Sequence, residues 1–299
     1  MEKVILTSEG YALSLAVFES ADAKAAVQVV HGMEEHKERY YAFAEYLAEK
    51  GFTVVVSDLR GHGEDAPLLS HIADDEGETL LIQDQKAIAD YIGERFPGLP
   101  IILFGHSMGT IISRVLMQED ARWLAVALSG YVNPNPASGV AVKMGNVVRK
   151  MKGPKGYSGM LTKLALGPYV KSVPDRKTDL DWLSYNEDNI MKYIDDPLCG
   201  EEFTVGSYQA LFRLLDKMGK AGEYKAVKAD MPILLIAGAD DPCTGGEKGR
   251  AASKEVLEKA GYADVRVITY DHMRHEILNE TEKDKVYEDL KSFFEDVTE

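Results

Sequence analysis

The chain of 299 residues is poor in cysteine, with only Cys199 and Cys243. A disulfide framework needs more cysteines, and no Cys-x-x-Cys pair indicates a redox or metal site. The sequence also lacks any run of about 18 apolar residues, so no membrane-spanning helix is expected. Its first residues, Met1-Glu2-Lys3, do not resemble a secretory signal. We therefore expect a cytoplasmic protein.

Positive charge is also scarce. The chain has 34 Lys and Arg against 49 Asp and Glu, which gives a formal net charge of -15. An acidic surface repels nucleic acid, so a DNA- or RNA-binding role is not expected. Hydrophobic residues make up 45% and charged residues 28%, a balance typical of a globular protein.

Short β-rich runs alternate with helical patterns along much of the chain, which is typical of an α/β fold. Strands are predicted at 3–18 (two strands joined near Glu9-Gly10 as an antiparallel edge), 26–30, 52–57, 100–104, 124–128, 231–237 and 265–270. Helical patterns lie between most of them. The sequence therefore predicts a mostly parallel sheet flanked by helices.

The alternation stops after Gly130 and resumes at Met231. We therefore divide the chain into a first core part at 1–131, a helical cap insertion at 132–228 and a second core part at 229–299. An insertion over the end of a parallel sheet lies where ligands bind. The alternative is a subdomain packed away from any site.

One motif carries a chemical signal, the sequence Gly105-x-Ser107-x-Gly109. A serine hydroxyl is a poor nucleophile unless it is exposed beside a base. A tight strand-to-helix turn exposes it in this way, and the strain of that turn requires small residues two positions on either side. The motif is weak alone, but here an apolar strand precedes it and a helical pattern follows. We predict Ser107 as the nucleophile.

A base and an orienting carboxylate are needed beside such a serine. His275 follows the last predicted strand, and its ordinary pKa suits proton transfer near neutrality. Its rival is His272. The pair could instead bind a metal, but no third ligand cluster is visible, so neither a metal nor a cofactor is expected. Asp241 is favoured over Asp240 as the carboxylate, and the order Ser, Asp, His is the one that α/β-hydrolases use.

The oxyanion of a tetrahedral intermediate needs two backbone N–H donors. Met108 follows the nucleophile and is predicted to supply one. Met33 follows the first parallel strand in His31-Gly32-Met33 and is predicted to supply the other. His31 is then expected to brace this loop rather than to act as a base.

These residues resemble the monoacylglycerol lipase and lysophospholipase branch of the α/β-hydrolases, a serine aminopeptidase-like family. The resemblance lies in the segments His31-Gly32-Met33-Glu34-Glu35-His36 with Arg39, Asp58-Leu59-Arg60-Gly61-His62-Gly63, Gly105-His106-Ser107-Met108-Gly109 and Arg274-His275-Glu276. It covers about 1–131 and 229–299, while the cap is only loosely similar. The resemblance implies an α/β-hydrolase fold with a helical cap, and it favours His275 over His272.

The resemblance also implies that Glu35 and Arg39 lie near the polar head of the substrate, with a surface salt bridge as the alternative. Asp58, Arg60 and His62 are expected to hold their loop rather than to touch the substrate. Glu34 departs from the family pattern, because a small residue is commoner before the glutamate.

The cap has an unusual charge distribution. From Ala121 to Pro174 there is no acidic residue. The same stretch contains eight basic residues: Arg122, Lys143, Arg149, Lys150, Lys152, Lys155, Lys163 and Lys171. It overlaps a helical pattern with Met144, Val147, Val148 and Met151 on one face. A basic helix with an apolar face can contact an anionic membrane or attract an anionic substrate. The alternative is a solvated face that pairs with acids elsewhere.

These observations favour a serine carboxylic ester hydrolase that acts on monoacylglycerol-like or lysophospholipid-like esters through an acyl-enzyme. A small-molecule ester or lipid is the expected partner, and the oligomeric state stays open. An aminopeptidase, thioesterase or acyltransferase of the same fold is an alternative, since the triad does not fix the leaving group. A hydrolase-fold binding protein without catalysis is a third hypothesis.

Overall fold

The computed structural model describes residues 1–299 and contains one eight-stranded sheet. Its strands are β1 (Glu2–Ser8), β2 (Tyr11–Phe18), β3 (Ala25–Val30), β4 (Phe52–Ser57), β5 (Ile101–His106), β6 (Ala125–Ser129), β7 (Ile233–Gly238) and β8 (Val265–Tyr270). Their order across the sheet is β1-β2-β4-β3-β5-β6-β7-β8. The pairs β1–β2 and β2–β4 are antiparallel, and the other pairs are parallel. The predicted α/β fold with its antiparallel edge is confirmed.

Ten α-helices accompany the sheet. They are α1 (Tyr41–Glu49), α2 (Gly77–Arg95), α3 (Met108–Glu119), α4 (Ser138–Lys152), α5 (Gly159–Ala165), α6 (Gly167–Lys171), α7 (Glu187–Asp195), α8 (Val205–Met218), α9 (Gly246–Ala260) and α10 (Lys283–Thr298). Short 3-10 turns lie at Lys37–Tyr40, Ala221–Glu223 and Pro242–Thr244.

The central strands are apolar on both faces because helices cover the sheet on both sides. Every residue of β3, β4, β5, β6 and β7 is buried, as expected of parallel strands between two helical layers. Phe43 of α1 and Leu290 of α10 belong to the hydrophobic cluster on one face. Ile88 of α2, Leu116 of α3 and Leu257 of α9 belong to the cluster on the other.

The segment between β6 and β7 contains helices α4 to α8 and no strand, and we call residues 132–228 the cap. Helix α8 packs against α4 within the cap and also against α2 and α3 of the core. The cap and the core share one hydrophobic cluster, which contains Tyr208 and Leu211 of α8. The cap therefore packs on the core through α8.

The apolar face predicted for α4 is buried only in part. Val148 is 7% exposed, whereas Val147 is 59% and Met151 is 79% exposed. Helical periodicity located the apolar residues but could not show that α8 covers only some of them.

Candidate active site

Ser107 lies in the turn between β5 and α3, in a strained backbone conformation. Its φ is 52° and its ψ is -119°, in a region that non-glycine residues rarely adopt. The turn is packed tightly from both sides. A Cβ atom at Gly105 would lie 2.6 Å from the carbonyl oxygen of Gly109, and one at Gly109 would lie 2.1 Å from that of Val30. Glycine is therefore required at both positions.

His275 and Asp241 follow the last two strands of the sheet, β8 and β7, and form a buried pair. Nδ1 of His275 lies 3.1 Å and 3.0 Å from the two carboxylate oxygens of Asp241. Burial lowers the pKa of His275, but the Asp241 carboxylate and its hydrogen bond outweigh this effect, so the pKa is raised above its ordinary value. Nε2 of the same ring makes no hydrogen bond within the protein.

Ser107 and His275 line the same cavity. The Ser107 hydroxyl, like Nε2 of His275, makes no hydrogen bond within the protein. Hydrogen bonds between a nucleophile and its base often tighten only once substrate is bound. The fold thus brings together three side chains that are far apart in sequence.

Two aromatic rings flank the His275 imidazole. The His106 ring lies 4.9 Å and the Trp182 ring 5.0 Å from it, centroid to centroid. Burial and the neighbouring His275 lower the pKa of His106 to about 3, so His106 is neutral at physiological pH. Sequence reasoning missed Trp182, which comes from the cap and carries no motif.

The rival residues occupy the surface instead. Asp240 is exposed and accepts a hydrogen bond from the Tyr185 hydroxyl at 2.9 Å. His272 is exposed and stacks on the Tyr185 ring at a centroid distance of 4.3 Å. Neither residue lines the cavity.

The two backbone donors predicted for the oxyanion, Met33 and Met108, also line this cavity. Met108 is the first residue of α3, where backbone N–H groups have no intrahelical acceptor. The N–H of Met33 makes no hydrogen bond within the protein. Nδ1 of His31 contacts the Gly32 carbonyl at 2.8 Å, and its Nε2 accepts from the Leu59 N–H at 2.9 Å. His31 therefore braces the loop, as predicted.

The loop after β4 is held by buried ion pairs. The Asp58 carboxylate accepts from Nζ of Lys37 at 2.5 Å, and the Arg60 guanidinium donates to both oxygens of Asp84. Nδ1 of His62 contacts the Arg60 carbonyl at 2.8 Å. The expectation that Asp58, Arg60 and His62 hold this loop is confirmed.

Glu35 lines the cavity, but both its carboxylate oxygens are engaged. One accepts from the Gly32 N–H at 2.5 Å and from the Tyr40 hydroxyl at 2.7 Å, and the other faces Arg39 at 3.4 Å. Burial raises the pKa of Glu35, and Arg39 opposes this effect only partly. Glu35 thus fixes the loop that carries Met33.

Arg39 lies behind the cavity lining rather than in it, with its side chain 10% exposed. Its guanidinium donates to both oxygens of Glu276, at 2.8 Å and 2.6 Å, and to the Asn189 amide oxygen at 3.2 Å. Burial alone would raise the pKa of Glu276, but Arg39 outweighs it and lowers that pKa. The network is buried, unlike the surface salt bridge considered above. Asn189 and the role of Glu276 were missed, although Glu276 directly follows His275.

The cavity beneath the cap has a volume of about 370 Å³, and 20 of its 31 lining residues are hydrophobic. One part is formed by apolar side chains of the cap helices, including Met144, Leu211 and Phe212. Glu34, Glu35 and Glu276 also line the cavity, and their contacts with Tyr193 and Arg39 place them together. The cavity suits a ligand with an apolar and a polar part.

Two clusters have the side-chain types that could hold a metal ion. They are His36 with Asp196 and Cys199, and Asp241 with Cys243 and His275. Within each cluster the histidine already contacts the aspartate, at 2.8 Å and 3.0 Å respectively. Hydrogen bonding alone accounts for both arrangements. None of the helices combines the length and the apolar character needed to cross a membrane.

Comparison with known proteins identifies the family of this chain. Residues 21–282 match the family described as serine aminopeptidase, S33. The chain is 26% identical to a monoacylglycerol lipase of Mycolicibacterium smegmatis over 278 residues, covering 91% of this chain and 88% of the relative. It is 29% identical to the human monoglyceride lipase over 228 residues, covering 73% and 65% of the two chains.

Among solved structures, a highly thermostable carboxyl esterase from Bacillus coagulans has a TM-score of 0.92 at 24% identity, covering 100% of this chain and 99% of the esterase. That likeness establishes the shared fold. The family match spans most of the sequence, including the elbow, Asp241 and His275. The chain therefore belongs to the serine aminopeptidase S33 family, and it is a hydrolase of the α/β-hydrolase fold.

Proposed function

We propose that the protein hydrolyses monoacylglycerol-like or lysophospholipid-like esters through a Ser107–His275–Asp241 triad. The observation that carries the proposal is the shared cavity: Ser107 and His275 both line it, Nδ1 of His275 contacts the Asp241 carboxylate, and most of the lining is apolar. The names of the monoacylglycerol lipase relatives support the same substrate class.

The residues define the steps of the reaction. The Ser107 oxygen attacks the ester carbonyl carbon while Nε2 of His275 takes the hydroxyl proton. The backbone N–H groups of Met33 and Met108 stabilise the resulting oxyanion. His275 then returns the proton to the leaving alcohol as the acyl–oxygen bond breaks. Water, deprotonated by His275, releases the carboxylic acid and restores the serine.

Labelling with a fluorophosphonate tests the nucleophile, and hydrolysis of monoacylglycerols and p-nitrophenyl esters of graded chain length tests the substrate class. Ser107→Ala is expected to abolish both labelling and hydrolysis. Ser292→Ala, an exposed serine on α10, is the matched control and should retain both.

Other outcomes would contradict the proposal. Folded protein that is not labelled at Ser107 would indicate a binding protein. Cleavage of amino-acid amides in place of esters would indicate the aminopeptidase that the family description names. The same panel extended with thioesters and acyl acceptors separates a thioesterase and an acyltransferase.

We further propose that the cap contacts an anionic membrane surface. Three of the eight basic residues between Ala121 and Pro174 pair with acids: Arg122 with Asp90 and Asp120, Arg149 with Asp75, and Lys155 with Asp74. The other five form no ion pair: Lys143, Lys150, Lys152, Lys163 and Lys171. The alternative of a fully paired, solvated face therefore accounts for only part of the charge.

Exposed apolar side chains lie on the same helices as several of these lysines. Val147 and Met151 of α4 and Met160 of α5 are exposed. Val140 and Leu164 are exposed and also line the cavity, so the cavity reaches the surface beside them. Apolar side chains between lysines are typical of surfaces that rest on anionic lipid.

Charge reversal tests this contact. The double variant Lys150→Glu and Lys163→Glu should bind anionic vesicles at least tenfold more weakly at low salt, since each basic residue near such a surface contributes about 1 kcal/mol. Lys248→Glu on α9, an exposed lysine outside the cap, is the control. Equal binding of anionic and neutral vesicles by the unmodified protein would contradict the proposal.

A further inference from the structure

Glu34 has a backbone conformation that glutamate rarely adopts. Its φ is 56°, in the left-handed region that glycine enters without strain. Such a conformation persists only where the surroundings hold it, and it is often found at functional sites. Glu34 lies directly after Met33, one of the two proposed oxyanion donors.

Cap residues hold the Glu34 backbone in place. Its carbonyl oxygen accepts a hydrogen bond from the Tyr193 hydroxyl at 2.7 Å and from the Gly200 N–H at 2.9 Å. Tyr193 belongs to α7, and Gly200 lies in the loop that leads to α8. The cap thus fixes the direction of the Glu34 side chain.

The Glu34 side chain lines the cavity, and its carboxyl group makes few hydrogen bonds there. Oε1 accepts one long hydrogen bond from the Phe203 N–H at 3.3 Å, whereas Oε2 makes none within the protein. No cation pairs with this carboxyl group. Glu35 is different, because the protein engages both of its oxygens.

The surroundings favour the uncharged form of Glu34. Burial raises its pKa to about 8, Glu202 and Glu201 add to this effect, and the Phe203 N–H opposes it. The hydroxyl groups of Tyr193 and Tyr208 are the other titratable groups that interact with it. A protonated carboxyl can both donate and accept a hydrogen bond, which suits an alcohol hydroxyl.

We propose that Glu34 determines specificity by binding a free hydroxyl of a polyol leaving group, such as glycerol, and by disfavouring a leaving group that carries a phosphate. This inference rests on the proposed ester hydrolysis and narrows its substrates to esters whose leaving group carries no phosphate. An acyl chain fits the apolar part of the cavity, which leaves the alcohol to the part that carries the carboxyl groups. A phosphate there would meet no free cation, because Arg39 lies behind the lining and is paired with Glu276.

The test compares three esters of one acyl chain: monodecanoylglycerol, propyl decanoate and the decanoyl ester of glycerol phosphate. Unmodified protein should prefer the glycerol ester to the propyl ester by at least about tenfold in kcat/KM, since buried polar groups discriminate strongly for a hydroxyl. It should disfavour the phosphate ester, and more strongly at about pH 9 than at about pH 7, because Glu34 ionises in between.

Two variants separate hydrogen bonding from charge. Glu34→Gly removes the side chain and suits the left-handed backbone, so it should reduce the preference for the glycerol ester to about threefold or less, mainly through KM. Glu34→Gln keeps a hydrogen-bonding group without an acid. It should retain much of the glycerol preference while losing the pH-dependent rejection of the phosphate ester. Glu38→Gln, an exposed glutamate four residues on, is the control for charge.

If Glu34→Gly lowered kcat/KM by the same factor for all three esters, the inference would be overturned, because Glu34 would then only support the loop. A lack of preference between the glycerol and propyl esters in unmodified protein would also overturn it, while leaving ester hydrolysis intact. Failure to hydrolyse any ester would overturn both.

Discussion

The core and the cap differ in where they place their charged and apolar side chains. With the exception of Glu34, the core pairs the charged groups that it buries near the cavity, as Arg39 is paired with Glu276 and Asp58 with Lys37. The cap, about a third of the chain, exposes nine of the thirteen large hydrophobic side chains that are exposed anywhere. The proposed reaction geometry thus depends on the edge of the sheet, whereas the cap supplies apolar surface both inside and outside the cavity.

The largest expected effect comes from the carboxylate behind His275. Asp241→Asn should lower kcat by about 10⁴-fold without loss of folding, because the amide no longer holds the correct tautomer or stabilises the imidazolium. Asp240→Asn, its exposed neighbour, should leave kcat within about twofold. Ester hydrolysis under saturating substrate, with thermal melting as the folding check, measures both. Similar losses in the two variants would remove Asp241 from its proposed role.

A smaller effect concerns stability. Arg39→Met should destabilise the protein by about 3–5 kcal/mol, because Glu276 loses its partner while buried. Arg95→Met breaks a more exposed pair with Glu2 and should cost about 1 kcal/mol or less. Urea denaturation compares the two variants. If Arg39→Met lowered the free energy of unfolding as little as Arg95→Met, the buried network would not stabilise the contact between cap and core.

The pH dependence follows from the raised pKa of His275. The imidazole must be neutral to accept the Ser107 proton, so kcat/KM should fall as pH drops through that pKa. The midpoint of this acid limb should lie above the ordinary value of about 6.5. In Asp241→Asn it should move to lower pH, because the carboxylate that raises the pKa is gone. A pH profile of kcat/KM measured with an uncharged ester shows both midpoints. If the acid limb did not move in Asp241→Asn, it would have to reflect the titration of a group other than His275.

The smallest effect on stability is expected on the outer surface of α4. Met151→Ser should change the free energy of unfolding by about 0.5 kcal/mol or less, because the side chain is almost fully exposed. Val148→Ser, three residues earlier and buried, should cost more than about 1 kcal/mol. If the cap rests on lipid, Met151→Ser should still weaken vesicle binding several-fold. If vesicle binding were undiminished, the outer apolar surface of α4 would not contact lipid.

Much of the core could be predicted because its signals are local. Apolar runs located all eight strands, and β8 has the predicted bounds of 265–270. The residues proposed for chemistry, Ser107, Asp241 and His275, each follow a strand that the pattern revealed. Parallel strands present their carboxyl ends at one edge, so their convergence followed from topology.

The contacts between cap and core could not be predicted in this way. Asn189 and Trp182 reach Arg39 and His275 from positions that carry no motif, and loop conformation rather than periodicity brings them there. The same holds for Glu34. Its departure from the family pattern was visible in the sequence, but its left-handed backbone and free carboxyl oxygen were not.

The packing of Trp182 on His275 has a consequence for engineering. The indole belongs to the cap and lines the cavity, yet it also packs against one side of the His275 imidazole, the proposed catalytic base. Exchanging the whole cap for that of a relative would therefore alter the polarity around the imidazole as well as the choice of substrate. A chimaera of this protein should therefore keep an aromatic ring at this position if the packing around the imidazole is to be preserved.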